Sequence, residues 1–116
     1  MTPGEACIAC HLRRGAVGSI RVAGTVYPSA HEPDDCHGAS QATVELYDLA
    51  GQLSLRMSSN AAGNFQANAS PPASYTARVT LGGRVATTQG PHSGGDCNVC
   101  HTQGGASGAR GRIIVP

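Results

Sequence analysis

Apolar and polar side chains alternate with a period of two along most of the central part of the chain. Such alternation indicates β-strands that bury one face. The pattern predicts strands over residues 17–27, 42–48, 53–57, 65–68, 75–81, 84–88 and 112–115. Turn-forming residues separate these segments, and Gly82-Gly83 predicts a tight hairpin. Strands at intervals of about 8–12 residues, with no helical period, predict an all-β fold: one sandwich of about seven strands with little helix.

The 116 residues are predicted to form a single domain with four parts. Residues 1–16 are an N-terminal arm, residues 17–89 the sandwich, residues 90–110 a glycine-rich loop and residues 111–116 a closing strand. Within the sandwich, residues 28–41 form a long irregular loop, and its length favours a binding role. One Phe, three Tyr and no Trp make a thin core. A buried cofactor would therefore add apolar surface that a chain of this size lacks.

Two Cys-x-x-Cys-His motifs stand near opposite ends of the chain. The first is Cys7-Ile8-Ala9-Cys10-His11, and the second is Cys97-Asn98-Val99-Cys100-His101. This pattern is the attachment signature of c-type haem, in which both cysteines bond to the porphyrin and the histidine ligates the iron. The sequence therefore predicts two haem c groups, with thioether bonds at Cys7, Cys10, Cys97 and Cys100 and proximal iron ligands at His11 and His101.

A zinc site made by four cysteines is the alternative reading of these motifs. Paired zinc ligands usually lie about 15–20 residues apart, whereas 86 residues lie between Cys10 and Cys97. Zinc, a redox dithiol or a disulfide would also leave the histidine after each cysteine pair unexplained. The spacing therefore favours haem, and a zinc-clamped structural module stays as an alternative.

The sixth iron ligands are sought among the remaining histidines. His31 and His37 lie in the 28–41 loop, and His92 lies five residues before Cys97. We expect His31 and His92 to be distal ligands, with His37 as a further candidate. The sequence does not pair them with particular irons, and a neighbouring subunit is an alternative source. Coordination by two histidines would give reduction potentials below those of His/Met cytochromes and leave no open position on the iron.

Three further features of the sequence allow more than one interpretation. Met57 is in phase with the apolar positions of its strand, which favours core packing over iron ligation. Cys36 precedes a histidine, as the second cysteine of a haem motif does, but the first cysteine of such a motif is missing. The alternatives for Cys36 are a third haem held by a single thioether, a disulfide between chains and a buried thiol. Glu32, Asp34 and Asp35 match no standard calcium loop, so hydrated carboxylates are favoured over a calcium site.

Charge and hydropathy narrow the range of partners. Eight basic and seven acidic residues are scattered along the chain and give a net charge of +1. No basic stripe with interleaved aromatic residues supports nucleic-acid binding, and no apolar run reaches the length of a membrane span. No secretory signal is evident before the first motif. Because covalent haem attachment normally follows export, the cofactor itself predicts a periplasmic or extracellular location.

Four segments resemble a known domain family: residues 22–26 (VAGTV), 42–48 (ATVELYD), 60–65 (NAAGNF) and 75–79 (YTARV). They are similar to a carboxypeptidase-regulatory-like domain, over roughly residues 20–81. The resemblance implies a seven-stranded β-sandwich of the transthyretin type without catalysis of its own. The chain departs from that family in its terminal haem motifs and its histidine-bearing loop. As a whole it is similar to small multihaem cytochromes of bacterial envelopes, some of which polymerise into extracellular electron-conducting filaments.

The motifs and the resemblance together predict an electron carrier and not an enzyme. Its expected partners are other redox proteins or the haems of neighbouring copies, in a homo-oligomer or a homopolymer such as a filament. Two designs stay open, because the haems either pack against one another within the chain or lie near different surfaces and meet the haems of adjacent molecules. The enzymatic alternative, a dihaem peroxidase or small reductase, would need one five-coordinate iron.

Overall fold

Two β-sheets packed face to face make up the fold in a computed structural model, which confirms the predicted all-β sandwich. The structure describes Gly4, Ala6, Ile8 and residues 20–29, 31, 33, 34, 36, 38–88, 91–102, 104–106, 109 and 111–115. These residues form seven strands and one 3₁₀ turn. The strands are β1 (Val22–Tyr27), β2 (Thr43–Tyr47), β3 (Leu53–Ser58), β4 (Asn64–Ala67), β5 (Thr76–Leu81), β6 (Arg84–Thr87) and β7 (Ile113–Ile114), and the 3₁₀ turn spans Cys97–Val99.

The four-stranded sheet has the order β3-β2-β5-β6, with every neighbouring pair antiparallel. Val44 of β2 lies opposite Met57 on one side and Val79 on the other, so the predicted apolar faces of three strands coincide. Met57 is 5% exposed and packs in the core. Leu53 is 46% exposed, because the pairing of β2 with β3 changes register near the end of β2.

The three-stranded sheet has the order β4-β1-β7. β1 runs antiparallel to β4 and parallel to β7. All six residues of β1 are buried, so the strand does not show the half-exposed alternation that its sequence predicts. The reason is that later parts of the chain cover its outer face. The guanidinium of Arg112, for example, stacks 4.2 Å from the centre of the Tyr27 ring, which suits the attraction between a cation and an aromatic face.

The core lies between the two sheets and closes the sandwich. Its largest fully buried side chains include Tyr27, Phe65 and Leu46. The buried apolar cluster consists of Val22, Val26, Ala42, Val44, Leu46, Met57, Phe65, Tyr75, Val79 and Val115. Burial of each large aliphatic or aromatic side chain favours the folded state by roughly 1.5–3 kcal/mol. Within the parts of the chain that the structure describes, no helix is long and apolar enough to cross a membrane.

An ion-pair cluster ties three strands together on the outer face of the four-stranded sheet. Glu45 of β2 accepts hydrogen bonds from Arg56 of β3 at 2.8 Å and from Arg78 of β5 at 3.3 Å. Arg78 also stacks over the Tyr47 ring, 4.8 Å from its centre. Hydrogen bonding from Arg56, together with the positive charge of both arginines, holds the pKa of Glu45 below its ordinary value. The cluster thereby fixes the register of β2 against both neighbours.

Candidate functional site

The second Cys-x-x-Cys-His motif lies along one edge of β1. The N–H of Ala23 donates to the Gly95 carbonyl at 2.8 Å, and Ala23 pairs with Asp96 as in a parallel sheet. Two residues further along β1, the Thr25 N–H donates to Asn98 Oδ1 at 3.1 Å. The Asn98 side chain thus occupies the place of a backbone carbonyl from a neighbouring strand. Beyond it, the last two residues of β1 pair with β7.

Thr25 is the centre of a buried hydrogen-bond network. Asn98 Nδ2 donates to Thr25 Oγ1 at 3.0 Å, and the Thr25 hydroxyl donates to Asn64 Oδ1 at 2.7 Å. The Gly4 N–H also donates to Thr25 Oγ1, at 3.1 Å. Asn98 and Asn64 are only 2% and 3% exposed, so water competes little with these bonds. The network joins the N-terminal arm, β1, β4 and the second motif.

Two glycines allow the motif to approach β1 closely. A Cβ atom at Gly24 would lie 2.9 Å from Cys97 Cβ and 2.6 Å from Phe65 Cζ. A Cβ atom at Gly95 would lie 1.8 Å from the Arg21 carbonyl oxygen. Neither position accepts a Cβ unless neighbouring atoms shift, because real Cβ contacts are longer than these distances; those atoms belong to side chains at Gly24 and to backbone at Gly95. Glycine at both positions therefore sets the distance between the motif and the strand.

His101, the last residue of the motif, is held through one ring nitrogen. Its Nδ1 lies 2.9 Å from the Gly111 carbonyl oxygen. Because a carbonyl oxygen only accepts hydrogen bonds, this contact assigns the proton to Nδ1 and leaves the lone pair of the neutral ring on Nε2. Metal-binding histidines are usually oriented in this manner, by a carbonyl or carboxylate at the other ring nitrogen. His101 Nε2 is thus the ring nitrogen that could bind a metal.

A cavity of about 530 Å³ lies beside the motif, between the two sheets. Cys97, Cys100 and His101 border it, and so does His92. The other walls are mainly apolar residues from strands of both sheets: Val44, Leu46, Phe65, Ala77, Val79, Ala86, Ile113 and Ile114. Cofactor pockets commonly measure roughly 300–1,000 Å³ and have mostly apolar walls with a few polar groups. The thiols, the oriented imidazole and the apolar walls fit a porphyrin.

Tyr75 also borders this cavity and holds the chain at His92. Its N–H donates to the His92 carbonyl at 2.9 Å, and the His92 N–H donates to the Tyr75 carbonyl at 2.7 Å. Its hydroxyl donates to the Gly94 carbonyl at 2.5 Å. Burial, with smaller coulombic contributions from Cys97 and Cys100, raises the pKa of Tyr75 to about 12. The side chain is therefore a neutral phenol and a hydrogen-bond donor near neutral pH.

The other residues predicted from the sequence lie away from this cavity or outside the described residues. His31 and Cys36 are exposed in the 28–41 loop and do not border the cavity. Asp34 Oδ1 accepts a hydrogen bond from the Cys36 N–H at 2.9 Å. In the described part of the chain, no three His, Cys, Asp or Glu side chains form a group that could hold a bare metal ion. The residues that lie outside the description are Cys7, Cys10, His11, Glu32, Asp35 and His37.

The sequence pattern does not indicate the residues that hold the second motif in place, which are Thr25, Asn64, Tyr75, Asn98 and Gly111. One of them carried a usable signal. Haem attachment does not require any particular residue at the two middle positions of a Cys-x-x-Cys-His motif. The polar amide of Asn98 at one of these positions therefore indicated a hydrogen bond to another part of the chain. The other four gave no sign of their role, because each acts through a hydrogen bond to a residue far along the chain or through a backbone carbonyl.

No protein-family model matches the chain, and comparisons with curated proteins and with solved structures find no significant match.

Proposed function

We propose that the chain is an electron-transfer protein that carries two haem c groups. The observation that carries the proposal is the arrangement of His101, whose Nδ1 is bound to a backbone carbonyl beside an apolar cavity that Cys97 and Cys100 also border. This arrangement offers two thiols, one nitrogen ligand and mainly apolar walls together. Haem c supplies an iron that gains and loses one electron.

Each element of the second site has a separate role in this proposal. Cys97 and Cys100 supply the sulfur atoms of two thioether bonds, and His101 supplies Nε2 as the proximal ligand. Asn98 holds the motif on β1, which keeps the cysteines at the cavity border. The apolar walls lower the local dielectric constant, and burial of this kind is one of the means by which a protein sets a haem potential.

The first motif has the same chemistry, with Cys7 and Cys10 as thioether positions and His11 as the proximal ligand. Gly4, three residues before that motif, donates to Thr25, which also bonds to Asn98 of the second motif. This shared partner supports the design in which the two haems lie near each other within one chain. His31, His92 and His37 are the candidates for the distal ligands of the two irons, together with a histidine from a neighbouring copy.

The wider setting follows from the same cofactor. Covalent attachment suits a small domain that works after export, in the periplasm or outside the cell, with other redox proteins or further copies of the chain as partners. We propose the carboxypeptidase-regulatory-like family for the sandwich, because three of the four segments that resemble that family fall largely on β1, β2 and β5, and the fourth leads into β4. We further propose that copies of the chain polymerise into a filament, in which haems of adjacent copies exchange electrons.

The decisive test is whether haem is bound covalently at both motifs. The chain is expressed with an export signal in a host that attaches haem c, and its mass and reduced spectrum are measured under denaturing conditions. We expect a mass equal to the polypeptide plus two haems, and a c-type spectrum. Cys97→Ala combined with Cys100→Ala should leave one haem, whereas the control Cys36→Ala should leave two. A colourless protein with the mass of the bare polypeptide would refute the proposal.

Assembly requires a separate measurement. Size-exclusion chromatography with light scattering gives the mass of the haem-loaded particle in solution, and negative-stain microscopy shows its shape. Fibres of uniform width support the polymer. A particle with the mass of one chain at every concentration contradicts the polymer, while electron transfer within the single chain stays as proposed.

A further inference from the structure

We infer that His92 is the sixth ligand of the iron held by His101, and that Tyr75 positions it. The inference rests on the proposed function, because it concerns the haem at the second motif. It starts from one juxtaposition: both histidines border the same cavity, together with the two cysteines of the motif. One chain thus brings two imidazoles and two thiols to a single cavity.

The other candidates for this position are poorly placed. His31 is exposed in the 28–41 loop and is not part of the cavity wall. Met57 is 5% exposed, packs in the core and does not border the cavity either. Tyrosine ligates haem iron in some proteins, but the Tyr75 hydroxyl is engaged at 2.5 Å by the Gly94 carbonyl. Among the described residues on this wall, His92 is the nitrogen donor that complements His101.

Tyr75 holds the backbone of His92 through both the N–H and the carbonyl of that residue. The N–H and carbonyl of each residue bond to those of the other, at 2.9 and 2.7 Å. The Tyr75 hydroxyl adds a third bond, two residues beyond His92. Tyr75 itself is 5% exposed and belongs to the buried cluster. The backbone at His92 is therefore anchored to the core, and the residue itself is exposed at the border of the cavity.

Two imidazole ligands decide what the second haem does. A six-coordinate iron has no open position for peroxide or another small substrate, which separates an electron carrier from a peroxidase or reductase. The same ligand pair gives a lower reduction potential than histidine with methionine. The inference therefore assigns the second site to electron transfer and predicts a low-spin haem in both oxidation states.

The test uses haem-loaded protein in which Cys7→Ala and Cys10→Ala leave the second motif as the one covalent attachment point. We expect a low-spin spectrum and no binding of carbon monoxide in the rapid phase typical of an open iron. His92→Ala should convert this haem to the high-spin form, and added imidazole should restore the low-spin spectrum. His92→Met should keep the low-spin form and raise the potential. The control His31→Ala should change none of these properties.

Tyr75→Phe tests positioning, because it removes one hydrogen bond and keeps the ring. A neutral hydrogen bond changes an equilibrium by about 2- to 10-fold, so carbon monoxide should displace the distal ligand about that much more readily. The control Tyr47→Phe removes a hydroxyl away from the cavity and should leave displacement unchanged. The positioning role of Tyr75 is refuted if carbon monoxide displaces the distal ligand equally readily in Tyr75→Phe and Tyr47→Phe.

Several outcomes separate this inference from the proposed function. A low-spin spectrum in His92→Ala without added imidazole overturns the inference, while covalent haem in the same sample still supports the function. A low-spin spectrum that is lost on dilution also overturns it, because the ligand would then come from a neighbouring copy. Absence of covalent haem at the second motif overturns the function itself. The same measurements made on the full chain, with both motifs intact, should show one of the two haems changing in His92→Ala.

Discussion

Replacing Asn98 with alanine is expected to destabilise the haem-loaded protein by about 2–4 kcal/mol. The Asn98 side chain is 2% exposed and makes two hydrogen bonds to Thr25, at 3.1 Å to its N–H and at 3.0 Å to its hydroxyl oxygen. A net contribution of roughly 0.5–1.5 kcal/mol is typical of one such bond, and a buried N–H left without a partner costs roughly 1–3 kcal/mol. The substitution loses both bonds and leaves the Thr25 N–H unpaired at the edge of β1.

This expectation is measured by urea unfolding of the haem-loaded protein, followed by circular dichroism of the backbone. A shift of the midpoint with an unchanged slope reports stability alone. Asn68 is an exposed asparagine at the end of β4, and Asn68→Ala should stay within about 0.5 kcal/mol of the parent protein, as exposed substitutions usually do. The haem spectrum is recorded in parallel, because the motif should keep its covalent haem when its anchor on β1 is weakened.

A double-mutant cycle separates the pair from its surroundings. Thr25→Val removes the hydroxyl and keeps the branched shape, so its effect combined with that of Asn98→Ala should be less than additive by about 0.5–3 kcal/mol. The reasoning is refuted if Asn98→Ala unfolds at the same midpoint as Asn68→Ala. In that case the amide would not be the partner of β1, and the motif would be held by its backbone contacts alone.

Three further expectations can be checked with single variants or reagents. Gly24→Ala places a Cβ 2.6 Å from a ring carbon of the core phenylalanine and should cost about 1–3 kcal/mol by overpacking, whereas Gly104→Ala, with open space around it, should be nearly neutral in the same unfolding assay. Glu45 has a lowered pKa, caused first by its hydrogen bond from Arg56, so its stabilising effect is present above the ordinary pKa and is lost as pH falls through the lowered one. Lowering the pH from above the ordinary glutamate pKa to below the lowered one should therefore reduce the free energy of unfolding of the parent protein more than that of Glu45→Gln, and equal losses would contradict this. A thiol reagent should find one reactive group in each denatured haem-loaded chain, at Cys36, whereas five would show that no thioether had formed.

The strands were largely predictable because their signal is local. The alternation around Val44 and Leu46 predicted a strand over residues 42–48, and β2 spans Thr43–Tyr47. Gly82 and Gly83 predicted a hairpin, and both adopt the positive φ angles, 58° and 82°, that such a turn requires. The exposure of Leu53 was not predictable, because it results from a register shift in the pairing of β3 with β2. Such a shift depends on the partner strand and is not visible in the sequence of β3.

The site was predictable only in its chemistry. The spacing of Cys97, Cys100 and His101 identifies a haem motif without any structure, because thioether attachment dictates that spacing. The residues that place the motif are different in kind. Asn98 reaches a strand 73 positions earlier in the chain, and His101 is oriented by a backbone carbonyl, which every residue possesses. Contacts of this kind form only when the chain folds, so they cannot be predicted from the order of residues along the chain.

The core and the cavity share a wall, and this links the composition of the chain to its proposed cofactor. Val44, Leu46, Phe65 and Val79 belong to the buried cluster and also line the cavity. With one Phe and no Trp in 116 residues, the chain lacks the large side chains that would fill a space of about 530 Å³ from within. A porphyrin in that space would bury the apolar wall on its second side, and each apolar Å² removed from water contributes roughly 25 cal/mol. Thioether bonds would keep the porphyrin in this space. In the proposed protein, covalent attachment therefore completes the hydrophobic core and also retains the redox centre.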